Sequence, residues 1–234
     1  EKIRGALEVV EDRFDFFDVN AGCPAVKVVD QGAGSGLLYN LVLLVKMLSG
    51  IINSTNKPVS LKFRLGTSSK NENFLKVGRL AEDLGISMVS LHARFASQGY
   101  SGTADWSKIK ILKESLNIPV VGNGDITSPE LAKRMFDETD CDFIMVGRWA
   151  MGNPWCFSQI NDYLNKGSYT DIGVSSKING FFNYLSLAKE FNIRFARKKI
   201  HAMQFTKTLT GGKTLRHSIA NAKCEEEIIN TLRD

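Results

Sequence analysis

The sequence has few of the features that mark secreted scaffolds, metal-binding modules or membrane proteins. Its 234 residues include four cysteines, Cys23, Cys141, Cys156 and Cys224, and no CxxC pair. This number and spacing exclude a disulfide framework and a structural zinc site. No apolar run approaches the roughly 20 residues that cross a bilayer, and no signal-peptide pattern is visible. We therefore expect reduced thiols in a cytoplasmic protein that binds neither a membrane nor a metal.

The chain also has only a small excess of charge of one sign. Lysine and arginine number 30 against 25 acidic residues, which leaves a formal charge of +5. With 43% hydrophobic and 24% charged residues, the composition is that of a folded globular protein and excludes a disordered chain. The small basic excess alone gives only a weak indication of a polyanionic partner.

The first two thirds of the chain repeat a short apolar run followed by an amphipathic segment, a pattern typical of βα units in a parallel sheet. The pattern predicts strands at Phe16–Asn20, Val59–Arg64, Met88–His92, Pro119–Asn123 and Phe143–Gly147. Their spacing of about 30 residues matches one unit of a (β/α)8 TIM barrel of about 250 residues. Only five such units are present, and the chain opens on a predicted helix, Glu1–Glu11, with no strand before it.

A second pattern begins after about Pro154, where the strand signals stop. Helices are predicted at Lys177–Phe191, Arg194–Leu209 and Cys224–Leu232, with turns at Gly173, Gly180 and Gly211-Gly212. We therefore expect an α/β domain over residues 1–154 and an all-helical domain over residues 155–234.

Polar and glycine residues follow each predicted strand at the point where it ends. The set comprises the segment Asn20–Pro24, Lys62 with Arg64, His92 with Arg94, the segment Asn123–Asp125, and Gly147 with Arg148. Loops at the carboxyl ends of barrel strands build the active site, and the last two loops commonly bind phosphate. Taken singly, Cys23 could fill a core and His92 could be a buried structural histidine. Their shared position instead predicts one site.

A glycine-rich segment, Gly32–Gly36, superficially suggests a dinucleotide-binding loop. It lacks the GxGxxG spacing and does not directly follow a strand, so a Rossmann site is disfavoured. We interpret these glycines as the opening turn of a helix at Leu37–Leu48.

Six segments carry a resemblance to a known family. They read NAGCP, KVVDQGAGSGLL, LKFRLG, LHARFASQGYSGTADW, VVGNGDI and MVGRWAMGNPW. Their order and spacing resemble those of the tRNA-dihydrouridine synthases. The resemblance implies an FMN-containing TIM barrel followed by a helical tRNA-binding domain, which reduces the C5=C6 bond of particular uridines in tRNA. It also implies that NADPH reduces the flavin.

The same resemblance implies roles for individual residues. Cys23 would be the general acid, and a thiol, being mostly protonated at neutral pH, suits that task. Asn20 and Arg94 would lie near the target base. The flavin-binding positions would be Lys62, His92, Asn123, Gly124, Asp125, Gly147 and Arg148. Lys62 would stabilise negative charge on the reduced ring, whereas Gly147 and Arg148 would hold the FMN phosphate.

Basic residues are concentrated in the predicted helical domain. They are Arg194, Arg197, Lys198, Lys199, Lys207, Lys213, Arg216 and Lys223. The charges could simply form a solvated helix face, but in an enzyme that extrudes a base from tRNA they favour RNA contacts. We take Arg194, Arg197 and Lys198 as candidate tRNA-binding residues.

Family members normally carry three strands before the NxGCP segment, and this chain shows none. We therefore expect a barrel that lacks about three N-terminal strands, as in a truncated form of a longer protein. Two other functions stay open: an FMN barrel dehydrogenase acting on a free pyrimidine, of the dihydroorotate type, and a catalytically inert RNA-binding module. The oligomeric state is not predicted.

Overall fold

The computed structural model describes residues 2–207 and 209–233, and they divide into two compact units. The first comprises the residues up to Ile126 together with Leu131–Val146. The second comprises Thr127–Glu130 together with the residues from Gly147 onward.

The first unit is built on a parallel sheet. Its strands are β1 (Phe17–Ala21), β2 (Val59–Arg64), β5 (Met88–His92), β6 (Val120–Asn123) and β7 (Phe143–Met145), and a separate hairpin joins β3 (Gly66–Ser68) to β4 (Asn71–Glu72). Among the described residues the sheet has five strands in the order β1-β2-β5-β6-β7, all parallel. The predicted parallel α/β architecture is therefore confirmed. The sequence missed the hairpin, and it placed the end of β7 at Gly147 instead of Met145.

Helices alternate with these strands along the chain. They are α1 (Lys2–Val10), α2 (Val26–Val29), α3 (Leu41–Ile52), α4 (Phe74–Asp83), α5 (Trp106–Ser115) and α6 (Pro129–Thr139). Burial follows the predicted amphipathic pattern, since Phe74, Val77 and Ala81 of α4 are all buried. Strand β2 is buried along nearly its whole length, as expected of a parallel strand covered on both faces. Glu1, at the start of the predicted first helix, lies outside the described residues.

The predicted helix Leu37–Leu48 is two elements instead of one. A 3-10 helix spans Gly34–Tyr39, and α3 starts only at Leu41. Asn40 separates them because its side-chain oxygen accepts a hydrogen bond from the backbone N–H of Leu43 at 3.0 Å, which caps α3.

The second unit is helical, as predicted. Its helices are α7 (Cys156–Lys166), α8 (Val174–Glu190), α9 (Phe195–Phe205), α10 (Gly212–Asn221) and α11 (Glu225–Arg233). Helices α8 to α11 contribute to an apolar core that includes Phe181, Ala202, Ile219 and Ile228. No helix in the described part of the chain combines the length and apolar character needed to traverse a bilayer.

Two predicted turns of this unit are wrong or incomplete. Gly180 lies inside α8, where a Cβ would come within 2.5 Å of the Trp155 ring, so the glycine serves close packing and not a turn. Gly211 does turn the chain, with a φ of 72°, but Gly212 starts α10, which the sequence missed. Thr208, within the predicted helix Arg194–Leu209, lies outside the described residues.

Candidate active site

The register of the parallel strands aligns the predicted polar strand ends. Asn20 of β1 lies opposite Lys62 of β2. Two residues beyond Lys62 on β2, the register aligns three adjacent strands at Arg64, His92 and Asn123. The carboxyl ends of β1, β2, β5 and β6 therefore meet at one edge of the first unit, where the loops carrying Cys23 and Asp125 also begin.

Cys23 lies on a turn that its own segment stabilises. The side-chain oxygen of Asn20 accepts hydrogen bonds from the backbone N–H of Gly22 at 2.9 Å and of Cys23 at 3.1 Å. This local capping fixes the chain direction directly after β1. The Cys23 side chain is partly exposed, whereas Cys141 and Cys156 are buried. Cys23 therefore does not behave as an apolar core filler.

Arg64 is a site residue to which the sequence assigned no role. It is 2% exposed and donates to three main-chain carbonyls: from Nε to Gly22 at 2.9 Å, and from Nη1 to Phe95 at 3.0 Å and Gly99 at 2.9 Å. One guanidinium thus joins the Cys23 loop to the loop after β5. The sequence did contain a signal for this role, because an arginine two residues after Lys62 ends a buried strand and must find acceptors there.

Lys62 carries a charge in an unfavourable position. Burial lowers the pKa of its ammonium, the neighbouring Arg64 lowers it further, and Asp18 partly opposes the shift. Within residues 2–207 and 209–233 its Nζ makes no hydrogen bond or ion pair. A half-buried ammonium of this kind is stabilised when an anionic or electron-rich group lies against it.

His92 is buried among cations. Burial, followed by the charges of Arg64, Lys62 and Arg94, lowers its pKa to about 3. The imidazole is therefore neutral at physiological pH and offers one N–H donor and one acceptor. A neutral ring can bind a polar group at this edge without adding further positive charge.

The His92 shift predicts an acid-dependent stability. Below about pH 6.5 the histidine of the unfolded chain binds a proton, whereas His92 in the folded protein stays neutral until about pH 3. The folded state is therefore fully favoured above pH 6.5, and its free energy of unfolding decreases as the pH falls from 6.5 to about 3. Between pH 7 and 5 we expect a loss of roughly 2 kcal/mol in the free energy of unfolding. The measurement is urea unfolding at both pH values. His92→Gln should remove most of this dependence, whereas the exposed-site control His217→Gln should retain it.

Arg94 organises the loop that follows it. Its Nη2 donates to the carbonyl of Gly102 and to the carboxylate of Asp125, each at 2.7 Å, and its Nε donates to the carbonyl of Ser101 at 3.2 Å. The same Asp125 oxygen accepts the N–H of Ala104 at 2.8 Å. The residue is 1% exposed, and its Nη1 is buried without a partner among the described residues. Arg94 thus lies beneath its own loop.

The Asn123–Asp125 segment also braces the strand ends. Asn123 donates from Nδ2 to the carbonyl of Met145 at 2.7 Å, which connects β6 to β7. The carbonyl of Gly124 accepts the Trp106 indole N–H at 3.0 Å. With a φ of 131° and Ala104 within 2.6 Å of any added Cβ, position 124 requires glycine. The main chain at Gly124 therefore lies close to the side chains of His92 and Arg94.

The remaining candidates lie in the second unit. Gly147 and Arg148 are exposed, and nothing lies within 4 Å of a Cβ at Gly147. Arg194 and Arg197 are exposed near the start of α9. Lys198, in contrast, is buried and pairs with Glu225 at 2.6 Å. Its charge is neutralised within the helical unit, so we remove it from the candidate RNA surface.

The comparison with protein families decides the membership of the chain. The sequence profile described as "Dihydrouridine synthase (Dus)" matches residues 2–233, which is nearly the whole length. The chain belongs to the dihydrouridine synthase family. The resemblance carried by the six motifs is thereby confirmed.

Individual relatives of this Dus-family chain support the same family membership. It is 42% identical over 162 residues to tRNA-dihydrouridine synthase B of Vibrio parahaemolyticus, covering 69% of this chain and 50% of the relative. It is 34% identical over 213 residues to the protein of the same name from Pseudomonas aeruginosa, covering 88% of this chain and 64% of the relative. The chain therefore spans about half to just under two thirds of the length of the curated relatives it matches.

A solved structure supports the fold of the Dus-family chain. The 6-hydroxypseudooxynicotine amine oxidase of Pseudomonas geniculata N1 superposes with a TM-score of 0.53 at 17% identity, covering 71% of this chain and 29% of that one. At this identity the likeness concerns architecture alone.

One Dus motif of the chain has a structural role within the helical unit. In the segment MVGRWAMGNPW, Gly152 has a φ of 75°, and an added Cβ would lie 2.5 Å from the main chain of Gln204 and Phe205. Trp155, the residue directly before α7, packs against Gly180 and the helical core. The motif therefore secures the segment after Arg148 to α8 and α9.

Proposed function

We propose that this protein reduces the C5=C6 bond of specific uridines in tRNA to dihydrouridine, with FMN as cofactor and NADPH as reductant. The observation that carries the proposal is the partly exposed Cys23 at the sheet edge where β2, which carries Lys62, and β5, which ends at His92, terminate, in a chain of the dihydrouridine synthase family. The relatives named above are tRNA-dihydrouridine synthases, which supports tRNA as the substrate.

The donor set of the first unit fits a flavin. Lys62 offers an ammonium without a hydrogen-bonding partner in the described chain, which suits an electron-rich ring. Neutral His92 and the Asn123–Asp125 segment would contact the polar edge of the ring. FMN, once reduced, supplies the hydride that C6 of uracil accepts.

The side chains of this protein then carry out the remaining steps. Cys23 donates its proton to C5 of the base, which requires the thiol form and a fixed sulfur position. Lys62 stabilises negative charge that develops next to it. Burial lowers the pKa of its ammonium, and a partly desolvated cation interacts more strongly with such a charge. Asn20 holds the Cys23 turn beside the base. Arg94, which supports the loop after β5, would also lie near the base.

The architecture belongs to the same proposal. We assign the parallel sheet to a TIM barrel, with residues 1–154 as the FMN-binding domain and residues 155–234 as the tRNA-binding domain, because the polar groups gather at the carboxyl strand ends. Exposed Arg194 and Arg197 would contact the RNA backbone. We place the activity in the cytoplasm, where tRNA resides.

The test uses purified protein, FMN, NADPH and an unmodified tRNA transcript. We expect a yellow protein with flavin absorption that converts uridine to dihydrouridine, measured by mass spectrometry of nuclease digests. Reduction of free pyrimidines but not of tRNA would instead indicate a dihydroorotate-type dehydrogenase. A colourless protein that retards tRNA on a gel without modifying it would indicate an inert RNA-binding module.

A further inference from the structure

The glycine-rich turn Gly32–Gly36 lies against the Cys23 loop. The backbone N–H of Ser35 donates to the carbonyl of Cys23 at 2.9 Å. Gly34 has a φ of 54°, and a Cβ there would lie 2.7 Å from that carbonyl oxygen and 2.9 Å from the Cβ of Cys23. Both distances are shorter than any real Cβ contact, so only glycine permits this approach.

The other sides of the cysteine turn are held as well. Asn20 accepts from the N–H of Cys23, and Arg64 donates to the carbonyl of Gly22. The glycine-rich turn adds a hydrogen bond to the other main-chain polar group of Cys23, its carbonyl. The two peptide groups that flank the Cα of Cys23 are therefore fixed, and with them the direction of the Cα–Cβ bond that carries the sulfur.

We propose that Gly34 and Ser35 are positioning residues for the Cys23 thiol. Because Gly34 has no Cβ, the main chain of Cys23 can pack directly against it. The backbone N–H of Ser35 donates the hydrogen bond that holds the Cys23 carbonyl in this position. This inference rests on the proposed function for its catalytic consequence, because proton donation to C5 depends on where the sulfur lies. A misplacement of about 1 Å can cost on the order of 100-fold in rate.

The chain offers a matched control for Gly34. Gly32 belongs to the same turn and has a similar positive φ of 71°, but nothing lies within 4 Å of a Cβ built on it. Gly34→Ala and Gly32→Ala therefore impose similar backbone strain. Only the former places a Cβ against Cys23. That Cβ would also lie 2.9 Å from Cγ1 of Val28, so the alkylation rate of Cys23, beside the change in kcat, identifies the contact that matters.

The experiment measures two properties of both variants. With tRNA as substrate, we expect Gly34→Ala to lower kcat by on the order of 100-fold with little change in KM, and Gly32→Ala to change kcat less than about threefold. Independently of catalysis, the rate of Cys23 alkylation by iodoacetamide, in a Cys224→Ser background, should change for Gly34→Ala only. Equal kcat and equal alkylation rates in the two variants would overturn the proposal.

A measurement on the unaltered protein guards against misfolding of the variants. The N–H of Ser35 should exchange with deuterium at least about tenfold more slowly than an unbonded amide of the same turn. Exchange as fast as that of an unbonded amide would overturn the proposal. If the unaltered protein forms no dihydrouridine, the proposed function fails, whereas the alkylation and exchange results still decide the positioning.

Discussion

Replacing Cys23 by alanine is expected to lower the rate of dihydrouridine formation by about 100- to 10,000-fold. This is the range that a positioned proton donor contributes. The thiol is the partly exposed sulfur at the sheet edge, and the turn built by Asn20 and Ser35 holds its backbone. Flavin absorption should persist, because Lys62 and His92 are unchanged. Product formation per tRNA, in single turnovers, is the measurement.

Two further variants make this result specific. Cys23→Ser keeps a side chain of nearly the same size but replaces the thiol by a much weaker acid, so its rate should fall nearly as far. Cys224→Ala removes the other exposed cysteine and should leave the rate unchanged. A Cys23→Ala protein that still converts the transcript at the normal rate would exclude the acid role while leaving the family membership intact.

Removing the guanidinium of Arg64 is the substitution with the largest expected effect on stability. Arg64→Met keeps an unbranched side chain of similar length, but it deprives the carbonyls of Gly22, Phe95 and Gly99 of their donor. Hydrogen bonds from a charged donor contribute about 1.5–3 kcal/mol each, and they are not additive. We expect the free energy of unfolding, from urea denaturation, to fall by about 3 kcal/mol or more.

The control for Arg64 is Arg79→Met, which removes an exposed arginine of α4 and should change stability by less than about 0.5 kcal/mol. Arg64→Met should also increase proteolytic cleavage within the loop after β5, since that loop loses two of its attachments. A stability equal to that of the Arg79→Met protein would show that the three carbonyl contacts contribute nothing net.

The strands were predictable because their signal is local. The apolar runs of β2 and β5 end in polar residues, and both strands begin and end where the sequence placed them. Glycine was less informative, because the same residue serves a turn or a close packing contact. Gly180 lies mid-helix against Trp155, and Gly212 begins a helix. Such packing depends on residues distant in the chain, which propensity does not register.

The charged residues also differ in how far local sequence predicts their surroundings. The sequence predicted Arg94 and Lys198 as charges available to a substrate. In the structure Arg94 pairs with Asp125, 31 residues away, and Lys198 with Glu225, 27 residues away. A buried charge must find a partner, and local sequence does not indicate which partner the fold supplies. Arg64 received no role for the same reason, since its three acceptors are main-chain carbonyls of two other loops.

The sequence by itself determined the family, the parallel order of strand and helix, and the residue types at the strand ends, because hydrophobic period and motif spacing are local properties of the chain. Only the tertiary structure decided which of those polar groups are paired and which have no partner within residues 2–207 and 209–233. It also revealed that Gly34 and Ser35 lie against Cys23. Close approach between separate loops is set by the packing of the whole unit, where a single Cβ is enough to prevent it.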